Sequence, residues 1–355
     1  MGLTAQLVEK YIQEKAIRGA VLYFGTPSET LFAEAFGVAD HRAGRAMTLD
    51  CVFDMASVTK ALCVATLLAR AVELGKILPD APFADYLPGY RGKSAYSATV
   101  CDLATHYSGL DPDRPYDAFM FQGPEKLYDA FRDLRVIRRP RAEYCYTCGN
   151  YILLGMILEH VYGAPLEEIA RREIFAPLGM ERSSWGLPKE EVLPDVVHAY
   201  LTTNHSRIPA SFFPPDLRIL AERDDLPSDE TAKTVLPHRI GNAGLFSCAE
   251  DLAKFARFML RKPFPERVWR ILAENLAPEG MRERSAGWDM EPTGVFSSHA
   301  IHHTGWSGQS LWIDPAEQVF GLVLTNRCGE HENGKACRLD LIRAVREEIG
   351  KPWIG

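Results

Sequence analysis

The chain has 355 residues, which at a usual size of roughly 150 residues per domain indicates about two domains or one large domain with two lobes. Its 40 basic and 47 acidic residues give a net charge of −7, which disfavours nucleic acid and anionic membranes as partners. A hydrophobic content of 46% and a charged content of 25% are typical of a globular protein and exclude a disordered chain. No apolar run approaches the ~20 residues of a membrane-spanning helix.

The N-terminal segment and the cysteines indicate the compartment. Residues 1–16 contain charged side chains where a secretion signal would need an apolar stretch, namely Glu9, Lys10, Glu14 and Lys15. Eight cysteines in a chain of this length are too few for a disulfide scaffold. Because no export signal is visible, we expect the thiols to be reduced and the protein to be cytoplasmic.

The predicted elements at the start of the chain are a helix, two strands and a second helix. Apolar residues recur at helical spacing over residues 3–12, which predicts an amphipathic helix. Residues 19–25 and 30–38 follow as two predicted strands joined by a short turn. The second helix is predicted over residues 57–74, because an apolar helical pattern ends there at a glycine.

The remainder of the chain is predicted to be helical in its middle and to return to strands near its end. Up to about residue 235 we expect helices and loops, among them a helix over residues 150–162. Strands are predicted over 309–313 and 318–325, followed by a helix over 338–349. Strands at both ends around a helical middle predict one sheet built from the two ends, with a helical lobe inserted between them.

An S-x-x-K motif lies at the start of the second predicted helix, where it is formed by residues 57–60. Residues three apart share a helix face, so Lys60 lies beside the Ser57 hydroxyl and can help to remove its proton. The helix N-terminus adds free N–H groups and a partial positive charge that favour an oxyanion. The spacing therefore predicts a nucleophilic serine, and the alternative is a surface serine near a surface lysine.

Two further segments have residue types suited to hydrolysis. Tyr146 lies just before the predicted helix at 150–162, and residues 303–306 (HTGW) lie just before the strand at 309–313. A tyrosine near a lysine can act as a phenolate or as a proton relay. A glycine allows a substrate to lie close to an edge strand. The alternatives are a buried tyrosine with one hydrogen bond and an ordinary hairpin turn.

These segments resemble those of the serine β-lactamase-like superfamily, and especially class C β-lactamases, D-alanyl-D-alanine carboxypeptidases and β-lactamase-like carboxylesterases. The matching segments cover most of the chain in one order: FDMASVTKAL (53–62), LATHYSGL (103–110), YTCGNYILLG (146–155), IFAPLGM (174–180), NAGLFSCAEDLAKF (242–255), HTGWSGQSLWIDP (303–315) and LTNR (324–327).

The resemblance implies an α/β fold in which a central antiparallel sheet is flanked by the N- and C-terminal helices. An all-helical lobe is inserted, and the active site lies between the two lobes. We therefore expect one catalytic domain over residues 1–355. Its α/β lobe would comprise about residues 1–78 and 286–355, and its mostly helical lobe about residues 79–285.

The resemblance also implies the catalytic residues. Ser57 would be the nucleophile, and Lys60 and Tyr146 would form the pair that handles its proton. The backbone N–H groups of Ser57 and Trp306 would form the oxyanion hole.

The substrate edge would be lined by Thr304 and Gly305, but two neighbouring positions depart from the β-lactamase pattern. Cys148 replaces the asparagine of Y-x-N, which removes an amide that would meet a substrate amide. His303 replaces the lysine of K-T-G, and an unperturbed histidine, with a pKa near 6.5, is mostly neutral at pH 7. Both departures favour ester hydrolysis over hydrolysis of β-lactams or peptides.

Other notable side chains near these motifs are interpreted as structural. Cys145 and Cys148 form a C-x-x-C pair, but no second pair at ligand spacing accompanies it, so a metal site is not expected. His302 and His303 would face opposite sides of a strand, which also argues against a shared metal. His106 is predicted to be a hydrogen-bonded structural histidine rather than a catalyst.

The sequence therefore predicts a serine hydrolase that acts through an acyl-enzyme on a small ester, lactone or amide, with an ester favoured. No cofactor is expected. Two alternatives remain open. One is a β-lactamase or D-Ala-D-Ala carboxypeptidase, and the other is a penicillin-binding protein that is acylated without turnover.

Overall fold

The computed structural model describes residues 2–91, 97–120, 122–198, 226–327 and 333–351. Within these ranges the strands are β1 (Ile17–Gly25), β2 (Thr30–Asp40), β3 (Arg45–Ala46), β4 (Phe53–Asp54), β5 (Ser184–Trp185), β6 (Leu245–Ser247), β7 (Ile301–Thr304), β8 (Ser310–Asp314) and β9 (Val319–Arg327). The α-helices are α1 (Leu3–Gln13), α2 (Thr66–Glu73), α3 (Val100–Ala104), α4 (Pro124–Ala130), α5 (Cys148–Tyr162), α6 (Leu166–Ala170), α7 (Glu230–Thr234), α8 (Ala249–Leu260), α9 (Glu266–Ala273) and α10 (Asn333–Glu348).

Six strands form the main sheet in the order β3-β2-β1-β9-β8-β7, and its neighbouring strands are antiparallel. The join between the two ends of the chain is the β1–β9 pair, in which Ala20 lies opposite Thr325 and Gly25 opposite Phe320. The predicted sheet made from both ends of the chain is therefore confirmed, as is the α/β fold class. β7 lies at one edge of the sheet. It ends with the first two residues of the HTGW segment, His303 and Thr304, and the turn that contains Gly305 and Trp306 follows it.

Helices cover both faces of this sheet because its central strands are apolar on both sides. In β1, Ala20 and Leu22 pack in the cluster that contains α1 and α10, whereas Val21 and Tyr23 pack in the larger cluster that contains α8. This alternation follows from the two-residue period of a strand. The two terminal helices are also joined directly, since the backbone N–H of Thr4 donates to Glu348 Oε2 at 2.8 Å.

A second sheet was not predicted from the sequence. It contains three short strands in the order β4-β6-β5, and β5 lies within the region expected to be only helix and loop. Strands of two or three residues are too short to show a two-residue period, so no sequence pattern predicts them.

Among the described residues, no helix is long and apolar enough to cross a membrane.

The helix predicted over residues 57–74 is present but irregular at its start. Helical conformation begins at Val58, continues through a π-helical turn over Lys60–Ala65 and ends in α2. Wider helical turns of this kind are rare and often lie at functional sites. Gly75 follows with a φ of 68°, the left-handed conformation that glycine adopts easily at the end of a helix.

Candidate active site

Ser57 lies on a tight turn between β4 and the helix that follows it. The preceding residue, Ala56, has a φ of 44°, a region that a side chain with a Cβ rarely adopts. Its backbone N–H donates to Asp54 Oδ1 at 3.0 Å, which holds this conformation. The turn presents Ser57 at the first turn of the helix, where backbone N–H groups have no intrahelical partners.

Lys60 is completely buried beside Ser57. Its Nζ donates to Ser57 Oγ at 3.0 Å and to the backbone carbonyl of Asn242 at 2.8 Å. The thiol of Cys148 lies 3.8 Å from the same nitrogen. Burial opposes the charged form of Lys60, but its interactions with Cys148 and Tyr146 outweigh burial and raise its pKa above the ordinary value. Lys60 is therefore an ammonium at neutral pH.

Tyr146 reaches the same place from the segment before α5. Its ring centroid lies 5.3 Å from Lys60 Nζ, and its side chain is 42% exposed, so it lies between the buried lysine and solvent. The following residue, Thr147, caps α5 by accepting the N–H of Gly149 at 3.3 Å. The structure thus brings Ser57, Lys60 and Tyr146 together, and Cys148 with them.

His303 lies in β7, and it is almost entirely buried. Its Nδ1 lies 2.9 Å from the backbone carbonyl of Thr304. Burial lowers its pKa well below the ordinary value, and the cations Arg284 and Lys60 lower it further. This differs from the expectation of an unperturbed histidine that titrates near 6.5. The ring is neutral at pH 7, and it stays neutral at lower pH than an exposed histidine would.

The turn after β7 packs against the chain that leads to Ser57. A Cβ on Gly305 would lie only 2.6 Å from the carbonyl oxygen of Met55, so this close approach requires glycine. Thr304, before it, is exposed. The ring of Trp306 is partly exposed, and Arg327 lies over it at 5.6 Å. The turn thus lies against the segment just before Ser57, although the two are far apart in sequence.

Two groups near the site had not been assigned a role from the sequence. The carbonyl of Asn242 accepts a hydrogen bond from Lys60, and a main-chain atom leaves no side-chain signal in a motif. Asp54 is half-buried, desolvation raises the pKa of its carboxyl group, and its Oδ2 accepts the N–H of Ser228 at 2.8 Å. The only sequence signal for these groups was their presence in the NAGLF and FDMAS segments.

His106 is buried and hydrogen-bonded, as predicted. Its Nδ1 lies 2.9 Å from Asn150 Nδ2. Its ring packs against that of Tyr146 at a centroid distance of 4.4 Å, with the two planes tilted by 36°. Burial, and then the charges of Arg284 and Lys60, lower its pKa well below the ordinary value. His106 is therefore a neutral ring that packs against the ring of Tyr146.

The cysteines of the C-x-x-C pair do not form a disulfide. Both Cys145 and Cys148 are free thiols, and so are the other cysteines of the described ranges. No group of three or more His, Cys, Asp or Glu side chains placed to hold a metal ion occurs in the part of the chain that the structure describes.

Comparison with known proteins identifies the family. The Beta-lactamase family model matches residues 4–345. The chain belongs to the β-lactamase family. This family consists of serine hydrolases and includes esterases, carboxypeptidases and β-lactamases.

Individual relatives of the β-lactamase family are distant and differ in their named activities. A protein of Escherichia coli (strain K12), provisionally named a D-alanyl-D-alanine carboxypeptidase, is 26% identical over 332 residues, which cover 84% of this chain and 76% of that protein. Esterase EstB of Burkholderia gladioli is 26% identical over 370 residues, which cover 92% and 90%. A penicillin-binding protein homologue from Caulobacter crescentus superposes with a TM-score of 0.76 at 21% identity, over 98% and 96% of the chains.

Proposed function

We propose that this protein is an esterase of the β-lactamase family that forms an acyl-enzyme at Ser57 and acts on small neutral esters. The observation that carries the proposal is the contact of 3.0 Å between the Nζ of the buried Lys60 and the Oγ of the partly exposed Ser57. The neutral His303, in the place of a lysine, supports the choice of substrate.

In the acylation step, Ser57 Oγ attacks the ester carbonyl carbon, and the Oγ–H bond breaks as the new C–O bond forms. This proton passes to the pair formed by Lys60 and Tyr146, which begins the step one proton short of its fully protonated form. Lys60 Nζ lies 3.0 Å from Ser57 Oγ and 5.3 Å from the centroid of the Tyr146 ring. The carbonyl π electrons move to the carbonyl oxygen.

The backbone N–H groups of Ser57 and Trp306 stabilise that oxyanion. When the carbonyl re-forms, the bond to the alcohol oxygen breaks, and the departing alkoxide takes the proton from the Lys60–Tyr146 pair. Deacylation repeats the sequence with water as nucleophile, and the pair again accepts the proton and returns it to Ser57 Oγ. Atoms and charges balance without a further reactant.

The preference for neutral esters follows from the two departures near the site. A lysine at position 303 would offer a cation to a substrate carboxylate, whereas the neutral His303 offers none. Cys148 stands 3.8 Å from Lys60, and a thiol is a weaker hydrogen-bond partner for a substrate amide than an asparagine amide. A neutral ester needs neither partner.

The test compares a series of short-chain p-nitrophenyl esters with a chromogenic cephalosporin on the purified protein. We expect kcat/KM to be higher for p-nitrophenyl acetate or butyrate than for the cephalosporin. Faster cephalosporin turnover would instead support a β-lactamase. A burst of p-nitrophenol without a steady state would support a protein that is acylated without turnover.

A further inference from the structure

The turn that contains Trp306 is held by a buried arginine from the opposite end of the sequence. Arg338 lies in α10, and only 8% of its surface is exposed. Its Nη1 donates to the backbone carbonyl of Gly305 at 2.8 Å and to that of Gln309 at 3.3 Å. The Gly305 N–H also donates to the Gln309 carbonyl at 2.8 Å, so both ends of the turn meet at this guanidinium.

The carbonyl of Gly305 belongs to the same peptide group as the N–H of Trp306. Because a peptide group is planar, fixing its carbonyl oxygen also fixes the direction of its N–H. A charged donor on the carbonyl polarises the group and makes its N–H a stronger donor in turn. Arg338 therefore acts on the N–H that would stabilise the oxyanion, at a distance of one peptide group.

We propose that Arg338 is a positioning residue that aims and polarises the Trp306 N–H toward the oxyanion formed at Ser57. This inference rests on the proposed function, since it needs an oxyanion at that place. Arg338 does not touch the reacting atoms. It binds the far side of the peptide group that does.

The rest of the turn is anchored so that this orientation is maintained relative to Ser57. Ser307 Oγ donates to the backbone carbonyl of Asp54 at 2.9 Å, three residues before the nucleophile. Gly305 lies against the carbonyl of Met55. The peptide group that contains the Trp306 N–H is therefore held against the segment that leads into Ser57, and Arg338 is the charged donor on that peptide group.

A neighbouring arginine shows why the position of the contact matters. Arg327 Nη1 donates at 2.9 Å to the carbonyl of Trp306, which belongs to the next peptide group along the chain. That contact does not polarise the Trp306 N–H. Arg338 and Arg327 thus bind the carbonyls of successive peptide groups, and of the two groups the one bound by Arg338 contains the Trp306 N–H.

Arg346 provides a matched control on the same helix. It is also buried, and its Nη1 donates to the backbone carbonyl of Val295 at 2.9 Å. Replacing either arginine by methionine removes a buried cation from α10 and leaves a backbone carbonyl without its donor, and Arg346→Met also breaks an ion pair with Glu317. Of these two arginines, Arg338 is the one that contacts the turn next to the proposed active site.

The experiment compares Arg338→Met, Arg338→Lys and Arg346→Met in the full chain. It measures kcat and KM for p-nitrophenyl acetate, the Ki of an alkyl boronic acid that forms a tetrahedral adduct, and the rate at which a fluorophosphonate labels Ser57. Loss of a whole oxyanion-hole donor costs about 10²–10³ in kcat. Because the N–H remains but is misaligned, we expect Arg338→Met to lower kcat and the labelling rate about tenfold to a hundredfold.

The boronate Ki should rise by the same factor while KM changes less than threefold, because only the tetrahedral state uses the hole. Arg338→Lys, which keeps a cationic donor, should recover part of the loss. Arg346→Met, which also loses the ion pair with Glu317, should lower thermal stability at least as much as Arg338→Met without these kinetic changes. This pattern would support the inference.

Two results would contradict it in distinguishable ways. If the wild type is labelled at Ser57 and folded Arg338→Met (or Arg338→Leu, where the methionine variant does not fold) is labelled equally fast with an unchanged boronate Ki, the positioning role is wrong and the proposed function survives. If the wild type itself is not labelled at Ser57, both the proposed function and this inference are overturned.

Discussion

The floor of the candidate site, formed by Ser57, Lys60 and Tyr146, and the edge formed by β7 use their polar groups differently. On the floor, the three side chains are close to one another, and the lysine stays charged although it is fully buried. At the edge, His303 is also buried but neutral, and its Nδ1 faces the carbonyl of the next residue. The floor holds the groups that are proposed to move protons, whereas the edge has this neutral ring at the position of the lysine in the K-T-G pattern.

From this difference we infer that the floor residues carry out the reaction, whereas the edge residues recognise the substrate. Groups that form and break bonds must match a transition state that is common to esters and amides, so they can be kept when the substrate changes. Groups that hold the substrate must match its charge, and they can be exchanged without loss of the reaction. Changes on the floor should therefore affect all substrates, and changes at the edge should affect the ratio between them.

Among changes to the floor residues, Ser57→Ala should lower kcat the most. The hydroxyl has no substitute, so kcat should fall by several orders of magnitude for every ester and cephalosporin tested. Circular dichroism and the thermal midpoint should stay close to those of the wild type, because the side chain is small and lies at a helix start. A folded Ser57→Ala with more than a tenth of wild-type activity would contradict the assignment.

Lys60 and Tyr146 should behave as one unit. Removal of a group that transfers a proton costs roughly 10²–10⁴ in rate, and if both groups handle the same proton, their losses should not multiply. Lys60→Ala, Tyr146→Phe and the double variant should then have similar residual rates. Tyr144→Phe serves as control, because its ring lies over Arg284 instead. Multiplying losses would show that the two residues act independently.

His303→Lys should change the substrate ratio instead of the overall rate. A cation about 4 Å from a carboxylate is worth roughly 1 kcal/mol in water and about 4 kcal/mol at an effective dielectric of 20. The ratio of kcat/KM for a cephalosporin to that for p-nitrophenyl acetate should therefore rise about tenfold to a hundredfold. His303→Gln is the neutral control and should leave the ratio unchanged. An unchanged ratio in His303→Lys would show that this position does not set the substrate class.

Cys148→Asn should have a similar but smaller effect. A neutral hydrogen bond contributes about 0.5–1.5 kcal/mol, so the cephalosporin-to-ester ratio should rise by up to about tenfold. Cys148→Ser should fold normally and lack most of this gain. A ratio that falls in Cys148→Asn would contradict the interpretation of this position.

The free energy of unfolding should depend on pH because of His303. This pH dependence concerns stability alone and leaves the substrate ratio unchanged. Burial lowers its pKa in the folded state, so below about pH 6.5 the unfolded chain binds a proton that the folded chain does not. Stability is therefore lost as pH falls, by up to about 1.4 kcal/mol per pH unit from this ring. Urea unfolding between pH 7 and 5 should show a shallower slope in His303→Gln. Replacement of the exposed His299 by Gln should leave the slope as it is, since that ring is solvated in both states.

Much of the fold could be predicted because its long elements have clear periods. The sheet made from both chain ends follows from the apolar runs of β1 and β9, and α5 follows from its apolar residues at helical spacing. The short strands β4, β5 and β6 leave no such pattern. The π-helical turn over Lys60–Ala65 also has no sequence signature, and all of its residues are buried, where tertiary packing overrides local preference.

The candidate site could be predicted where side chains are close in sequence, and less well where backbone atoms take part. The three-residue spacing of Ser57 and Lys60 is a local property of a helix, so the motif predicts their contact. The carbonyl of Asn242 and the contact of Arg338 with Gly305 depend on chain segments brought together only by the fold. The pKa of His303 likewise depends on burial, which no local pattern contains.

The most direct test of the account is the site at which a covalent probe reacts. The protein is treated with a fluorophosphonate, digested, and analysed by tandem mass spectrometry, with the Ser57→Ala variant as control. We expect one adduct, on Ser57, that is absent from the variant. An adduct on Ser307 or Ser108, or equal labelling of wild type and variant, would show that Ser57 is not the nucleophile.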